Sequence, residues 1–296
     1  MKTENPERCI LCDSASIKSI DKKAKVYGCE ECGHIFNNPR PTLEEIRDYY
    51  AMSSTYEDWS RETEQRDRMW SRRLEMVRRE CGSGRLLDVG SGDGHFLKFA
   101  REFYDVTGTE ISTKAIERAR EQHGVELIQG ELQGIDLGES GFDIITVFHV
   151  LEHVPYPAAL IKRCRELLKD EGVLFIAVPN DMHSLTSPIK RLLALLGPGK
   201  WKYYGRSGLP DVTVPGIMDE IHLSHFKAPV LKKHLEDAGF RVKEMTLDPY
   251  DVSTGLEGLA QTVFYWFCRC VLKVFRLNIY DTIWVTCVKR SDHKRP

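Results

Sequence analysis

From residue 85 onward, short apolar runs alternate with segments that read as helices. The runs, each of strand length, fall at 85–89, 105–109, 125–129, 142–148 and 172–178. Most gaps between them are helix-like, at 95–103, 112–122 and 156–169, and Ser112 stands where an N-cap belongs. The alternation breaks over 180–226, a stretch rich in Gly, Pro, Trp and Tyr that reads as an insertion. It resumes with a helix at 229–238, ended by Gly239, and a strand at 240–247. The last strand-like run is 282–289. Such alternation predicts an α/β fold with a mostly parallel sheet and right-handed crossovers.

Two further stretches are helical but patterned differently. Within 256–277, Glu257, Gln261, Tyr265, Arg269, Lys273 and Arg276 recur every three or four residues, and nearly everything else is apolar. That pattern predicts a helix with one polar stripe and a wide apolar face. Residues 41–82 are charged and helix-like, with aromatics at Tyr49, Tyr50, Tyr56, Trp59 and Trp70, and Gly82-Ser83-Gly84 marks a break. Residues 1–40 hold short β-like pieces and paired cysteines. The expected organisation is therefore a module over 1–40, a helical lid or linker over 41–82, and a main domain over 83–290.

Composition narrows the class. Of 296 residues, 42% are hydrophobic and 29% charged, the balance of a soluble globular protein. A formal net charge of −2 gives no bulk nucleic-acid footprint, although Lys18, Lys22, Lys23 and Lys25 cluster locally. The first residues lack the apolar core of a signal peptide, and no apolar run approaches a membrane span. Nine unevenly placed cysteines do not make a secreted disulfide framework, so a reducing cytoplasm is expected. Four of them, Cys9, Cys12, Cys29 and Cys32, form C-x2-C-x16-C-x2-C. Two such knuckles supply four thiolates for tetrahedral zinc, and a site with four cysteines is closed and structural.

The strongest chemical signal is Leu86-Leu87-Asp88-Val89-Gly90-Ser91-Gly92-Asp93-Gly94-His95, a buried strand running into glycines and then a helix. Glycines let the backbone turn sharply and approach a ligand closely, and a helix N-terminus offers unpaired N–H groups. The spacing is G-x-G-x-G, whereas a dinucleotide site uses G-x-G-x-x-G; the last glycine of that motif would fall at His95. Asp88 would repel a pyrophosphate but could engage a cation. S-adenosylmethionine carries an ammonium and a sulfonium and no phosphate, so the local charge favours it.

On these residues the sequence resembles the class I S-adenosylmethionine-dependent methyltransferases, strongly over 85–180 and in outline over 227–289. The resemblance implies a Rossmann-like, seven-stranded, mostly parallel sheet whose last strand is antiparallel. It implies that Asp88, Gly90, Gly92 and Gly94 hold the methionine part of the cofactor. Glu110, with Ile111 beside it, would take the ribose hydroxyls in a bidentate contact. Glu131 would stand near the adenine amino group, and Leu132 would offer its backbone N–H to the ring.

The segment Phe142–Val154 (FDIITVFHVLEHV) also resembles the small-molecule branch of that class. It places His149 near the transferable methyl, while Glu152 and His153 open the next helix, His153 as a helix-start residue packed against the glycine loop. A further reading joins His149, Glu152 and His153 as a divalent-metal site. No Asn/Asp-Pro-Pro-aromatic motif is present, which favours oxygen or carbon methylation over amino-group chemistry. HLSHFKAPVLKKHLEDAGF resembles a recurrent phrase whose first histidine, here His222, faces the substrate. His222 is thus the first candidate for a base or substrate-orienting group, then His149, then His225. The alternative for His222 is that it ties the insertion to the sheet. The phrase CEECGHIFNNPRPTLEEIRDYY resembles a zinc-ribbon module of bacterial and archaeal methyltransferases, in which ribbon and helices cover the cleft and Tyr50 approaches the cofactor.

These readings lead to an expected O-methyltransferase acting on a sugar or sugar-derived, lipid-linked acceptor. The alternatives are a quinone- or phenol-type O-methyltransferase, a sugar C-methyltransferase, a ribosomal-RNA methyltransferase, or a non-catalytic ribbon protein. PIKRLLALL at 188–196 and the 256–277 helix offer apolar faces edged with basic residues. They suit loose docking on a membrane surface, or ordinary packing.

Overall fold

The computed structural model describes residues 1–52, 63–138, 141–217, 220–248 and 255–290. Tyr56 and Trp59 of the expected lid lie outside them. The chain opens with β1 (Thr3–Glu4), β2 (Ile17–Asp21), β3 (Val26–Cys29), β4 (Ile35–Asn37) and β5 (Arg40–Pro41). Two helices follow, α1 (Leu43–Met52) and α2 (Thr63–Glu80).

The alternating region comprises β6 (Gly84–Val89), α3 (His95–Ala100), β7 (Tyr104–Glu110), α4 (Thr113–His123), β8 (Ile128–Gln129), β9 (Phe142–Phe148), α5 (Pro157–Leu167) and β10 (Leu168–Pro179). The insertion holds α6 (Ser187–Leu196) and β11 (Ser224–His225). After it come α7 (Ala228–Asp237), β12 (Phe240–Thr246), α8 (Gly255–Phe275) and β13 (Thr282–Lys289). Seven strands form one sheet in the order β12-β13-β10-β9-β6-β7-β8. Only β13 is reversed: it pairs antiparallel with both β10 and β12, and the other ladders are parallel. This is the expected α/β sheet with an antiparallel last strand.

Period-two alternation sends successive residues to opposite faces of the sheet, and helices cover both. Leu87, Ile145, Leu174 and Ile176 pack with Leu160 and Ile161 of α5, with Leu231 and Leu235 of α7, and with Phe36. Leu86, Ile144, Phe175 and Trp284 pack with Val77 of α2, Phe96 and Leu97 of α3, and Ala119 of α4. Ser112 caps α4 as expected, its hydroxyl accepting from the Ala115 N–H. The strand expected at 125–129 shrinks to its last residues before Gly130 turns at φ +137, because it lies at the sheet edge and pairs only through Thr109 and Glu110.

The insertion is not separate from the N-terminal module. β11 pairs with β4 and completes a four-stranded sheet, β11-β4-β3-β2. Asp21 accepts from the Ser207 N–H and hydroxyl, each at 2.7 Å. Arg40 is buried and donates to the Pro155 carbonyl and to Glu4, both at 2.7 Å.

α8 forms as expected, but its polar stripe is not wholly solvent-facing. Tyr265, expected on the polar stripe, packs against Tyr280 beneath the helix, and Cys268 is fully buried there. The apolar residues Leu259, Val263, Trp266, Phe267 and Val274 face solvent instead. The side chain of Glu257 lies outside the described set. Among the described residues, no helix is long and apolar enough to cross a membrane.

Candidate active site

A cavity of about 490 Å³ opens at the C-terminal ends of β6, β7 and β9, beneath α1 and α2. Open α/β sheets bind ligands at this end, and the volume falls in the range of small-molecule sites. Its wall includes Tyr50, Asp88, Gly90, Gly92, Glu110, Ile111, Glu131, Leu132, His149 and His222. Gly94 and His225 do not line it.

The first wall is the glycine loop and the strand ends beside it. Gly90 and Gly92 take φ of +67° and +55°. A Cβ on Gly90 would stand 2.5 Å from Val150 Cγ2, so no side chain fits there. Gly94 caps α3 in the left-handed conformation, and a Cβ there would press on Ala119 at 3.0 Å. Its place in the fold is thus the α3–α4 contact.

Asp88 is buried and accepts from the Thr146 hydroxyl at 2.6 Å, and burial pushes its pKa up to about 7. Glu110 accepts from the Gly92, Ile111 and Ser112 N–H groups at 2.8–2.9 Å. Burial raises its pKa, against the pull of those three donors. Three of about four acceptor sites on this carboxylate are therefore in use, and a bidentate diol contact requires one of them to yield. No Lys or Arg among the described residues pairs with Asp88 or Glu110. By contrast Asp93 is held by Arg66 at 2.7 and 3.1 Å, and Glu131 by Arg47 at 2.6 Å. Two cations from the lid helices thus neutralise two of the cleft carboxylates. Asp88 and Glu110, beside the glycine loop and without such a cation, suit a positively charged ligand.

The second wall is a histidine and carboxylate cluster. His149 sits at φ +56°, just past β9. Its Nε2 donates to Asp248 at 3.2 Å and its Nδ1 lies 3.4 Å from Glu152. Burial would lower its pKa, but the two carboxylates outweigh that and raise it to about 9. Asp248 is fully buried and paired with Arg73, whose guanidinium lies over Trp70 and Phe148 at 4.7 and 5.3 Å. Burial would raise Asp248, yet Arg73 and His149 hold it at about 2.

His222 has Asp181 at 3.3 Å and Glu220 at 3.8 Å. Against the effect of burial, they raise its pKa to about 10. At neutral pH it is an imidazolium, which donates but cannot accept a proton. His225 is buried in the seam between insertion and ribbon, donating to Asn37 at 2.9 Å and facing Asp181 at 3.3 Å.

His153 differs from both. Its Nδ1 lies 2.8 Å from the Ile221 carbonyl and 2.9 Å from the Tyr50 hydroxyl. A carbonyl only accepts, so Nδ1 carries the proton and Nε2 presents its lone pair. Burial, with His222 nearby, lowers the His153 pKa and keeps it neutral. The sequence points to this residue only through its place after β9. Its Nε2 has Glu152 at 3.7 Å and Glu220 at 3.9 Å, too far to hydrogen-bond; what separates it from His149 and His222 is the closer carboxylate each of those receives from a distant segment, Asp248 and Asp181.

Three clusters among the described residues could hold a metal ion, one of them Asp93, His95 and His123, where Arg66 already pairs with Asp93. The sulfurs of Cys9, Cys12, Cys29 and Cys32 all lie within 4.8 Å of one another, with Cys9–Cys32 and Cys12–Cys29 each at 3.6 Å. A tetrahedral zinc with bonds of about 2.3 Å needs sulfurs about 3.8 Å apart, and all four cysteines are free. The third cluster is Glu152, His153 and His222. The expected trio had His149 in place of His222. Both Glu152 oxygens are buried without a hydrogen-bond partner.

With this geometry in place, comparison with known proteins is direct. Residues 62–245 match the family described as methyltransferase domain, and the chain belongs to that family. It is 36% identical over 107 residues to a ubiquinone biosynthesis O-methyltransferase of Actinobacillus pleuropneumoniae, covering 32% of this chain and 46% of that protein. It is 32% identical over 136 residues to the protein of the same description from Albidiferax ferrireducens, covering 42% and 52%. The chain thus spans about half the length of these curated relatives. The crystal structure of magnesium protoporphyrin IX methyltransferase from Synechocystis, with bound S-adenosylhomocysteine, shares the fold at a TM-score of 0.53 and 16% identity, over 84% of this chain and all of that one.

Proposed function

We propose that the protein transfers a methyl group from S-adenosylmethionine to a hydroxyl oxygen of a small-molecule acceptor. One observation carries this reading. A single cavity is lined both by the glycine loop with its two unpaired carboxylates and by His149, His153 and His222. The printed descriptions of the relatives support O-methylation and a quinone- or phenol-type ring as acceptor. The sugar-derived acceptor expected from the sequence has no such support.

The cofactor supplies an electrophilic methyl on a sulfonium. Asp88 and Glu110 attract its positive charge and orient it. His149 and His222, both cationic, place positive charge on the acceptor side of the cavity, which acidifies the acceptor's hydroxyl. The Nε2 of His153 takes the proton as the oxygen attacks, while Tyr50 and the Ile221 carbonyl fix the ring. Cys9, Cys12, Cys29 and Cys32 would hold one zinc ion with a structural role, closing the ribbon where it packs into the core beside α7.

The pH dependence of kcat/KM tests the assignment of the base. With His153 as base, activity falls only on the acid side, below the ordinary histidine value of 6.5. If activity instead rises only toward pH 10, His222 is the base and this reading fails.

A second reading rests on the Glu152 oxygens, which are buried without a hydrogen-bond partner although His149 and His153 stand 3.4 and 3.7 Å away. A divalent cation held by Glu152, His153 and His222 would satisfy them and bind the acceptor oxygen directly. Chelator-sensitive turnover, restored by Mg²⁺ or Mn²⁺ and absent in Glu152→Gln, favours it. Turnover indifferent to chelator rejects it.

A further inference from the structure

We propose that α8 and the adjoining start of α6 dock on the surface of an anionic lipid bilayer. At 3.6 residues per turn, Leu259, Val263, Trp266, Phe267, Cys270 and Val274 lie within about 100° of one another. All are exposed, Trp266 at 55% and Val274 at 70%. The opposite side of the helix is the one that packs on the body, through Phe264, Cys268 and Leu272. α8 is therefore apolar on both sides, and one of them has no protein partner among the described residues.

The apolar surface continues beyond the helix. Leu277 is exposed, and the Leu185 N–H donates to the Ile279 carbonyl at 2.9 Å, bringing the start of α6 against the end of α8. From there Leu185, Ile189, Leu192, Leu195 and Leu196 are also exposed. An exposed apolar surface this extended marks an interaction site.

Charge selects the partner. The whole chain has a net charge of −2. Yet residues 258–280 carry Arg269, Lys273 and Arg276 and no acidic residue, and residues 185–204 carry Lys190, Arg191, Lys200 and Lys202 and no acidic residue. By helical position, Arg269 and Lys273 lie on one flank of the exposed stripe of α8, Arg276 follows directly after the helix, and all three are exposed. An apolar stripe edged by long cationic side chains suits a bilayer interface, where the stripe sinks below the headgroups and the cations meet anionic lipid. A second copy of the chain would set these cations against each other.

The surface also has a path to the cavity. Asn180 donates to the Asn278 and Tyr280 carbonyls, and Asp281 and Thr282, the next residues, line the cavity wall. A docked helix therefore holds one wall of the site close to the lipid surface.

The test uses the full chain and sedimentation with vesicles of phosphatidylcholine, with or without phosphatidylglycerol. It needs no acceptor and no turnover, so it stands or falls separately from the proposed reaction. Binding is expected only when phosphatidylglycerol is present. Lys273→Gln or Arg276→Gln each weakens it about fivefold, and Trp266→Ser with Phe267→Ser weakens it about tenfold or more. All these side chains are exposed, so circular dichroism should stay unchanged. No binding to either vesicle overturns the proposal. So does equal binding to both, or a concentration-dependent dimer that Trp266→Ser abolishes.

Discussion

The two walls of the cavity are built in opposite ways. The cofactor wall comes from three stretches, 88–93, 109–111 and 130–133, at the ends of the successive strands β6, β7 and β8. The acceptor wall collects Tyr50 and Arg73 from the lid, His149 and His153 after β9, and Glu220 and His222 from the insertion. Asp248, after β12, stands behind it. A site made by local turns carries its chemistry in residue types and spacing. A site made by long-range assembly carries it in partners, and partners decide whether a histidine is a base, an acid or a cation.

The largest expected effect lies on the acceptor wall. His153→Ala should lower kcat by about 10³-fold, the scale of general-base catalysis, with cofactor affinity unchanged. Rapid-quench turnover measures it, and a loss under tenfold would move the base elsewhere. Next is Arg73→Met, which leaves Asp248 charged and buried without its guanidinium. It should cost about 3–5 kcal/mol and lower the melting temperature by about 10 °C. Calorimetric unfolding checks this; a shift under about 2 °C would mean the pair is not the anchor of that wall.

His222 links stability to pH. Its pKa is raised in the folded state to about 10 from 6.5 unfolded. Its contribution is therefore complete below pH 6.5 and is lost as pH rises through 10. His222→Gln should flatten that alkaline decline in stability. An unchanged decline would remove His222 from the acceptor wall's charge network. The smallest effect is expected from Arg47→Ala. Its half-exposed pair with Glu131 contributes at most about 1 kcal/mol, so cofactor affinity should change less than about fivefold.

The sheet was legible in the sequence because its strands are buried runs and its helices end on recognisable signals. Ser112, Gly124 and Gly239 all stand at helix ends. The edge strand was overread, since the apolar residues Val125 and Leu127 are buried without being paired. In α8 the pattern gave the helix but not which side faces the body, because both sides are apolar enough to be buried. The pairing of β11 with β4 was illegible: it joins two short strands about 190 residues apart, with no pattern of their own. The same distance hid the roles of the histidines. Motif position drew attention to His222, while Asp181 and Glu220 are what keep it charged.

The division of the cavity into two walls is tested most directly by calorimetric titration of S-adenosylmethionine into three proteins: wild type, Glu110→Ala and His153→Ala. The two-wall arrangement predicts that Glu110→Ala weakens binding by about 100-fold, the loss of a charge-assisted contact at the cofactor wall, and that His153→Ala binds like wild type. Equal weakening in both variants, or none in Glu110→Ala, would contradict it.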